Sequence, residues 1–437
     1  MEDCEWRMLS FPLFPNKSKL YLRIKGYCIL YEIVPLKNSP FVIRHWHHKN
    51  FEYNNMLFDK IYQYNFPTTI RFGAGSSKEL GDYLILHKLF NPLIVTDSTV
   101  AQLDFFREII RDLQNKSISP EVFADIHKNP VKSDVYRGTE AYDYTKSDSI
   151  IGIGGGAALD VARAIALRVN HREDLFKYDD LIGGDIYVDN EVPHFITIPT
   201  TAGTGSEVGR SAIIADDETH QKKILFSPKL LAKIVFADPT LTMELPPFIT
   251  AATGMDALTH NMEAYLAKMP HPMCEGIALE GISLISQSLE QAVNKPDLES
   301  RSKMLIASLM GAVAFQKGLG VVHSLAHPLS SLLDTHHGLA NAVNIPYGME
   351  FNIEGFEHKF KRIARTLELK EETGAAVVKY LFELNTKINI PHKLRDIGVR
   401  QEHIETLSNL AAADFAHPNN PKPVSRDDFK IIYSNAL

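Results

Sequence analysis

The sequence predicts an α/β domain followed by an all-α domain, and three observations lead to this fold class. From Tyr64 to about residue 241, short apolar runs of strand length alternate with amphipathic stretches of helix length, which is typical of a parallel sheet with crossover helices. From Thr250 onwards helical periodicity dominates. The 437 residues also exceed the ~250–300 at which a single core usually stops growing. We therefore expect one domain over 56–241 and a second over 242–437.

Residues 1–55 differ from the rest of the chain. They are rich in aromatic side chains and show no sustained helical or strand period. We expect an extension whose order the pattern does not define, or upstream sequence that precedes an internal start at Met56. The histidines in "RHWHHKN" (44–50) can bind a metal, but no cysteine or helical spacing supports a functional site there.

Composition favours a small-molecule ligand. The net charge of -7 and the pI near 6.2, without a long basic run, argue against partners such as nucleic acid or an anionic membrane. The three cysteines, Cys4, Cys28 and Cys274, are scattered, so neither a disulfide framework nor a thiolate zinc site is expected. Acidic residues at the N-terminus and the lack of a bilayer-length apolar run predict a cytoplasmic protein.

The first candidate binding residue along the chain is Asp97, which ends the strand-like run "LIVTD". A carboxylate at this place can accept from a ribose diol and would repel an added 2'-phosphate, so it favours NAD over NADP. The alternative is an ordinary turn or helix-cap aspartate.

A glycine-rich turn follows in "SIIGIGGGAALDVARAIAL". An apolar strand runs into Gly154, Gly155 and Gly156 and then directly into a helix. Glycine lets the backbone approach an anion closely, and the helix start offers unpaired N–H groups, which suits a pyrophosphate. The segment is neither G-x-G-x-x-G nor a P-loop, so a purely structural turn is the alternative.

A second loop, "TIPTTAGTGSEVGRSAII", also follows an apolar strand. Its hydroxyl side chains can donate to a ligand, and two such loops at strand ends indicate one cleft. The hydroxyl residues are Thr200, Thr201, Thr204 and Ser206.

Metal chemistry is indicated further on. Asp256 and His260 stand at i,i+4 in a predicted helix and therefore project from one face. His323 and His327 have the same spacing, and His337 lies fourteen residues beyond His323. A carboxylate oxygen with imidazole nitrogens suits a divalent ion such as iron or zinc. The alternative for each pair is a solvated helix face or a hydrogen-bonded core pair.

These motifs resemble the iron-containing alcohol dehydrogenase family. The similarity runs from about residue 64 to the C-terminus, in the family's order and spacing, and is carried by "GGGAALD", "IPTTAGTGSEV", "ATGMDALTH", "GVVHSLAHPL" and "THHGLANAV". It implies a Rossmann-like dinucleotide-binding domain, a helical metal-binding domain and an active site in the cleft between them. "AFQKGLGVVHSLAHPL" and "HPNNPKPVSRDDF" are most similar to the 4-hydroxybutyrate dehydrogenase-like branch.

The resemblance also implies residue roles. It places His327 beside the nicotinamide and His336 at no ligand position. The implied metal ligands are Asp256, His260, His323 and His337. The implied nucleotide site comprises Asp97, Gly154, Gly155, Gly156, Asp160, Thr200, Thr201, Thr204 and Lys222. Two residues depart from the family pattern: Ala157 stands where a serine is common, and Arg163 replaces a usual lysine.

We therefore expect a metal-dependent dehydrogenase that transfers a hydride between NAD(H) and a primary alcohol or aldehyde. A short hydroxy acid such as 4-hydroxybutyrate is a candidate substrate, iron the expected metal and zinc the alternative. His327 is expected to pass the released proton towards solvent, and we expect a homo-oligomer, a dimer. The alternatives are a related metal enzyme of the glycerol dehydrogenase or 3-dehydroquinate synthase type, and a non-catalytic nucleotide-binding relative.

Overall fold

The computed structural model describes residues 68–219 and 221–437 in full, together with the backbone of five strands between residues 5 and 65. The chain forms two compact units, residues Met1–Met56 and Leu57–Leu437.

The first unit contains a four-stranded antiparallel sheet in the order β1-β2-β3-β4. Its strands are β1 (Glu5–Leu9), β2 (Ser18–Ile24), β3 (Tyr27–Leu36) and β4 (Ser39–His45). The sequence predicted no regular period here. The strands are nevertheless rich in Tyr, Ile and Val, which favour pleated structure, and an irregularity between Val34 and Leu36 interrupts the pairing. The side chains of His45, His47 and His48 lie outside the described residues.

The second unit begins with a seven-stranded sheet. Its strands are β5 (Tyr62–Asn65), β6 (Thr69–Phe72), β7 (Pro92–Val95), β8 (Glu121–Phe123), β9 (Ser149–Gly154), β10 (His194–Pro199) and β13 (Ile234–Ala237). Their order is β5-β6-β13-β10-β9-β7-β8, and every pairing is parallel except the antiparallel edge pair β5–β6. The predicted parallel sheet is thus confirmed. β9 is buried at every position, because helices that cover both faces require a continuous apolar run.

Four helices connect the parallel strands, and a hairpin follows β10. The helices are α1 (Leu80–Leu86), α2 (Asp104–Asn115), α3 (Lys132–Thr145) and α4 (Gly156–Asn170). The hairpin pairs β11 (Ser211–Ala215) with β12 (Lys222–Phe226).

The rest of the chain is helical, as the sequence predicts. Residues 242–437 are all described and contain no β-strand. Their helices are α5 (Pro247–Leu266), α6 (Pro272–Asn294), α7 (Leu298–Ala314), α8 (Val321–Leu333), α9 (His337–Phe351), α10 (Glu357–Thr366), α11 (Gly374–Lys387), α12 (Ile404–Ala412) and α13 (Arg426–Ala436). The predicted boundary near residue 241 falls between β13 and α5, and the division into two domains there stays a prediction.

The helical part packs against the sheet through a shared core. The largest buried apolar cluster joins side chains of α5 to α13 with Phe72 and Val235 of the sheet. The loop after β10 touches α5 closely, since a Cβ built on Gly203 would lie 2.7 Å from Cβ of Thr253. The carboxyl ends of the parallel strands therefore face the helices that carry the predicted metal ligands.

Among the described helices, none is both long and apolar enough to cross a membrane by itself. Only the pair Leu298–Lys317 and Val321–Leu333, bent by 106° at the break between them, reaches that length and composition together.

Candidate metal and dinucleotide site

Helix α5 places Asp256 and His260 one turn apart on a buried face. Both residues are buried, with 4% and 5% of their surface exposed. The Nδ1 atom of His260 lies 3.3 Å from the carbonyl oxygen of Gly203, which orients Nε2 towards Asp256 Oδ1, 4.0 Å away. The spacing that the sequence indicated thus produces a pair facing one point.

Two further imidazoles reach the same carboxylate oxygen from the first turns of α8 and α9. Nε2 of His323 lies 3.9 Å from Asp256 Oδ1, and Nε2 of His337 lies 3.5 Å from it. His323 is buried, whereas 31% of the His337 side chain is exposed. The four predicted ligands are therefore brought together, with His337 on the accessible side.

The donor set fits a divalent cation. Ligand atoms around a tetrahedral ion with bonds of about 2.0–2.2 Å lie roughly 3.3–3.6 Å apart, close to the 3.5–4.0 Å that separates each Nε2 from Asp256 Oδ1. The ligand atoms of Asp256, His260 and His323 all lie within 4.8 Å of one another. One carboxylate with three imidazoles and no thiolate suits iron or zinc.

Electrostatics keep two of the three imidazoles neutral, whereas the hydrogen bond and charge of Glu263 outweigh burial and raise the pKa of His323. Burial lowers the pKa of His260 to about 4. Burial, followed by the charges of His327 and Lys222, lowers the pKa of His337 well below its usual value. Both rings are thus neutral at physiological pH, and a neutral imidazole has the lone pair that a metal requires.

His327 sits beside this cluster without joining it. Its ring stacks on His337 with centroids 5.4 Å apart and on Phe415 at 5.2 Å. Its Nδ1 atom lies 2.8 Å from Oδ2 of Asp414. The sequence predicted a position for His327 beside the nicotinamide rather than among the ligands, and that role stays a prediction.

Asp414 is fixed as a carboxylate. Its Oδ1 accepts from the hydroxyl of Ser324 at 2.6 Å and from the backbone N–H of Ala416 at 2.9 Å. Burial alone would raise its pKa, but the charge and hydrogen bond of His327, with these donors, lower it to about 2. A charged partner for Nδ1 holds the His327 ring in one orientation.

His336 has a different position from its neighbour His337. It caps the start of α9, where its Nδ1 accepts from the backbone N–H of Leu339 at 3.4 Å. This helix-capping contact accounts for the residue without a role in the metal cluster.

The glycine turn and Asp97 meet at the carboxyl edge of the sheet. Gly154 ends β9 with φ +152°, and a Cβ built on it would lie 2.7 Å from Cβ of Ala158 and 3.7 Å from Oδ2 of Asp97. Oδ1 of Asp97 accepts from the backbone N–H groups of Thr99 and Val100. The carboxylate therefore caps its own turn, as the alternative interpretation held, and also directs its other oxygen towards the glycine turn.

The threonine loop lies against the same glycines. The backbone N–H of Thr200 donates to the carbonyl of Gly154 at 3.0 Å. A Cβ on Gly155 would lie 3.4 Å from Oγ1 of Thr201, and a Cβ on Gly156 would lie 3.2 Å from Oγ1 of Thr204. The two predicted loops thus form one surface at the strand ends.

Asp160, a residue of the predicted nucleotide site, hydrogen-bonds to other residues of the protein. Its Oδ1 accepts from the Ser206 hydroxyl at 2.6 Å and from the Arg163 guanidinium at 3.2 Å, while Oδ2 accepts from the backbone N–H of Ile213 at 3.1 Å. Both oxygens are engaged within the protein, so the residue stabilises the threonine loop from α4. A direct contact between Asp160 and a cofactor stays a prediction.

Lys222, at the start of β12, connects the two halves of the site. Burial lowers the pKa of this lysine, while the negative charges of Asp414, Asp160 and Asp256 act in the opposite direction. These carboxylates belong to the His327–Asp414 pair, to helix α4 beside the threonine loop and to the predicted metal ligands, so the ammonium group lies within electrostatic reach of all three.

Three residues around the metal cluster were absent from the sequence prediction. Asn341 donates from Nδ2 to Asp256 Oδ1 at 2.7 Å, Glu263 accepts from His323 Nδ1 at 2.6 Å, and Asp414 accepts from His327. Asn341 lies four residues after His337, and Glu263 three after His260. Helical spacing from the predicted ligands could have indicated both, whereas Asp414 has no such local signal.

Comparison with known proteins identifies the family. Residues 67–239 match the model described as iron-containing alcohol dehydrogenase, and residues 250–437 match its C-terminal counterpart. The chain is 35% identical to the 4-hydroxybutyrate dehydrogenase of Cupriavidus necator over 79% of this chain and 92% of the relative. It is 32% identical to the NAD-dependent methanol dehydrogenase of Bacillus methanolicus over 85% of this chain and 98% of the relative.

Solved structures agree. A 1,3-propanediol oxidoreductase superposes with a TM-score of 0.81 at 30% identity, over 86% of this chain and 99% of that one. The sulfoacetaldehyde reductase of Bifidobacterium kashiwanohense, solved in complex with NAD+, superposes with a TM-score of 0.74 at 27% identity, over 87% and 99%.

These matches confirm the predicted fold class and the predicted enzyme class, an oxidoreductase acting on alcohols. The geometry gathers one carboxylate and three imidazoles that could hold the iron for which the family is named. By sequence, by fold and by the donors gathered around Asp256, the chain belongs to the iron-containing alcohol dehydrogenase family.

Proposed function

We propose that this protein is an NAD-dependent, metal-dependent dehydrogenase that interconverts a primary alcohol and its aldehyde. The observation that carries the proposal is the convergence of three imidazole Nε2 atoms on Asp256 Oδ1, 3.5–4.0 Å away, beside the His327–Asp414 pair. The adjoining glycine and threonine loops provide a surface for a dinucleotide.

In this proposal four side chains hold the ion: Asp256, His260, His323 and His337. A divalent ion held there would supply Lewis-acid chemistry, lowering the pKa of the substrate hydroxyl and orienting its carbon for hydride transfer to the nicotinamide. The partly exposed His337 marks the side from which a substrate enters the cleft.

His327 is the proposed proton carrier. Asp414 accepts from its Nδ1, so Nε2 is left to accept a proton from the substrate side and release it to solvent. The Phe415 ring covers one face of the imidazole and restricts its rotation.

We propose NAD rather than NADP as the cofactor. Oδ2 of Asp97 faces the glycine turn, and its charge would repel a 2'-phosphate while accepting from a ribose hydroxyl. Replacing this carboxylate with a small side chain (Asp97→Gly) should raise kcat/KM for NADP by about 10-fold or more, an effect near 1.4 kcal/mol. Unchanged cofactor preference would contradict the assignment.

The proposed substrate is a short alcohol, and 4-hydroxybutyrate is the first candidate because a relative at 35% identity carries that name. Relatives named for methanol and 1,3-propanediol set the range for a screen. The decisive experiment combines metal analysis of the purified protein with a screen of short alcohols, aldehydes and hydroxy acids under NAD and NADP. Turnover that persists after chelation of all bound metal would refute the proposal.

Two neighbouring histidines offer a matched control for the metal assignment. His337→Ala should lose bound metal and reduce turnover by more than about 100-fold, because it removes a ligand. His336→Asn keeps a helix-capping side chain at the adjacent position and should retain both. Equal behaviour of the two variants would remove His337 from the ligand set.

A cytoplasmic location and a homodimer belong to the same proposal. The scattered cysteines support a reducing compartment, and the net charge of -7 supports a small-molecule partner rather than nucleic acid or a membrane. Sedimentation of the purified protein would test the dimer.

A further inference from the structure

Glu263 is a buried carboxylate on α5, next to the predicted metal ligands. Only 2% of it is exposed. It follows Asp256 by seven residues and His260 by three, so all three side chains lie on the same face of the helix. Two of them are proposed ligands, and the third faces a histidine of another helix.

Three N–H groups from the start of α8 converge on this carboxylate. Oε2 accepts from Nδ1 of His323 at 2.6 Å and from the backbone N–H of Gly320 at 3.0 Å. Oε1 accepts from the backbone N–H of Val322 at 2.6 Å. The carboxylate therefore satisfies orphan donors of the helix start, where negative charge is also favoured by the helix dipole.

The contact with His323 decides which ring nitrogen faces the cluster. A carboxylate can only accept, so Nδ1 of His323 carries a proton and donates it to Glu263. With a proton on Nδ1, Nε2 is the nitrogen available to a cation, and it lies 3.3 Å from Nδ2 of Asn341 and 3.9 Å from Asp256 Oδ1. Ring orientation and tautomer are thus both determined by a side chain that is not itself a ligand.

The close approach needs glycine at the start of α8. A Cβ built on Gly320 would lie 3.0 Å from Oε1 of Glu263 and 2.7 Å from Oδ1 of Asn420. Any larger residue would separate α8 from α5 and lengthen the contact between Glu263 and His323.

We propose that Glu263 is a positioning residue for the metal site, which holds His323 with Nε2 directed at the ion and couples the start of α8 to α5. Carboxylates that accept from a ligating histidine typically contribute 10–100-fold in metal affinity. This inference rests on the proposed function, since it requires a divalent ion at Asp256, His260, His323 and His337.

The test compares two variants at the same helix start. Glu263→Gln keeps the shape of the side chain but leaves only one accepting oxygen for three N–H groups. Asn420→Ala removes the acceptor of the Val321 N–H, which lies 3.1 Å away, and does not touch His323. Binding of Co2+ and of Zn2+ to the full-length protein is measured by competition with a chelator, together with the visible absorption of bound Co2+.

We expect Glu263→Gln to weaken metal binding about 10–100-fold and to alter the Co2+ spectrum. Asn420→Ala should lower the Tm while metal affinity stays within about twofold of wild type. Equal affinities and spectra for wild type and Glu263→Gln would overturn the inference alone. Failure of the wild-type protein to bind either metal would instead overturn the proposed function.

A second measurement needs no Glu263 variant and covers the case in which Glu263→Gln does not fold. In the Zn2+-loaded wild-type protein with 15N-labelled histidine, NMR should detect a proton on Nδ1 of His323, assigned by its loss in His323→Gln. A proton on Nε2 of that ring would overturn the inference.

Discussion

Asp414 and His327 form the proton-transfer pair of the proposed mechanism, and the position of the imidazole depends on the carboxylate. The aspartate accepts from His327 at 2.8 Å and is itself held by Ser324 and Ala416. Asp414 follows α12 and lies 87 residues after His327, so the imidazole is held by a side chain from a distant part of the sequence.

Replacing the Asp414 carboxylate with an amide removes its negative charge but keeps an oxygen that can accept from the His327 ring. Asp414→Asn should lower kcat by about 10–100-fold, less than the roughly 10²–10⁴-fold that a general acid–base group itself contributes, because the imidazole stays in place, and KM should change less. Because the pKa of Asp414 is lowered to about 2, the carboxylate is charged throughout the assay range, so the loss should be similar at about pH 6 and about pH 9. Steady-state kinetics at both pH values test this, and an unchanged kcat would remove Asp414 from the mechanism.

The glycine turn offers a second test at the level of single residues. Gly154→Ala should destabilise the protein by about 1–3 kcal/mol, because φ is +152° and the new Cβ would lie 2.7 Å from Ala158 Cβ. NAD binding should weaken with it. Gly276→Ala is the matched control: this glycine is exposed within α6 with open space around it, so alanine should stabilise by about 0.5–1 kcal/mol. Tm and NAD titrations distinguish the two.

Helix α4 supports the threonine loop through one buried side chain. Arg163, which replaces the family's usual lysine, donates to the carbonyl oxygens of Ser206, Ser211 and Leu230 as well as to Asp160. A planar guanidinium can serve several acceptors at once, whereas an ammonium is a point charge. With an arginine in place of the usual lysine, more hydrogen bonds therefore join this loop to α4.

Glu207, in the short 3-10 turn Ser206–Val208, makes stability depend on pH. Its carboxylate oxygens accept from no other described residue, and burial raises its pKa from 4.5 to about 7. Below the ordinary value both the folded and the unfolded chain hold the proton. Between about pH 4.5 and 7 only the folded chain holds it, so stability falls as pH rises, by up to about 3 kcal/mol.

Glu207→Gln should therefore stabilise the protein at about pH 8 and change little at about pH 4. The measurement is the difference in Tm between variant and wild type at both pH values. Glu218→Gln, at an exposed position in the neighbouring hairpin turn, should leave Tm unchanged at either pH. A Glu207→Gln effect that does not vary with pH would mean that this carboxyl does not titrate in the predicted window.

At the scale of the whole molecule, the chain consists of the units Met1–Met56 and Leu57–Leu437, and the family resemblance lies in the second. The first of the two family matches begins at residue 67. The matches to three relatives cover 92–99% of each relative but only 79–86% of this chain. The first unit is thus additional to the enzyme that the family shares.

A chain of residues 56–437 should fold and keep NAD-linked alcohol oxidation. The second unit contains the parallel sheet, the helices and every proposed ligand. Its Tm should therefore equal that of the full-length protein within error, and its kcat/KM should stay within about twofold. Aggregation or loss of bound metal in the shortened protein would show that the first unit contributes to the second.

Local sequence determined much of this protein. The alternation of strand and helix signals predicted the parallel sheet, the glycine turn located the strand end at Gly154, and helical spacing placed Asp256 and His260 on one face. Each of these depends on residues within a few positions of one another, where the periods of helix and strand act directly.

Tertiary structure decided how these pieces combine. Glu263 meets His323 across 60 residues, Asp414 meets His327 across 87, and Asn341 meets Asp256 across 85. The first unit also has a sheet that no simple alternation predicted. Sequence spacing determines which side chains share a helix face. Which other element packs against that face depends on how distant apolar surfaces fit together, and a local sequence pattern does not predict this.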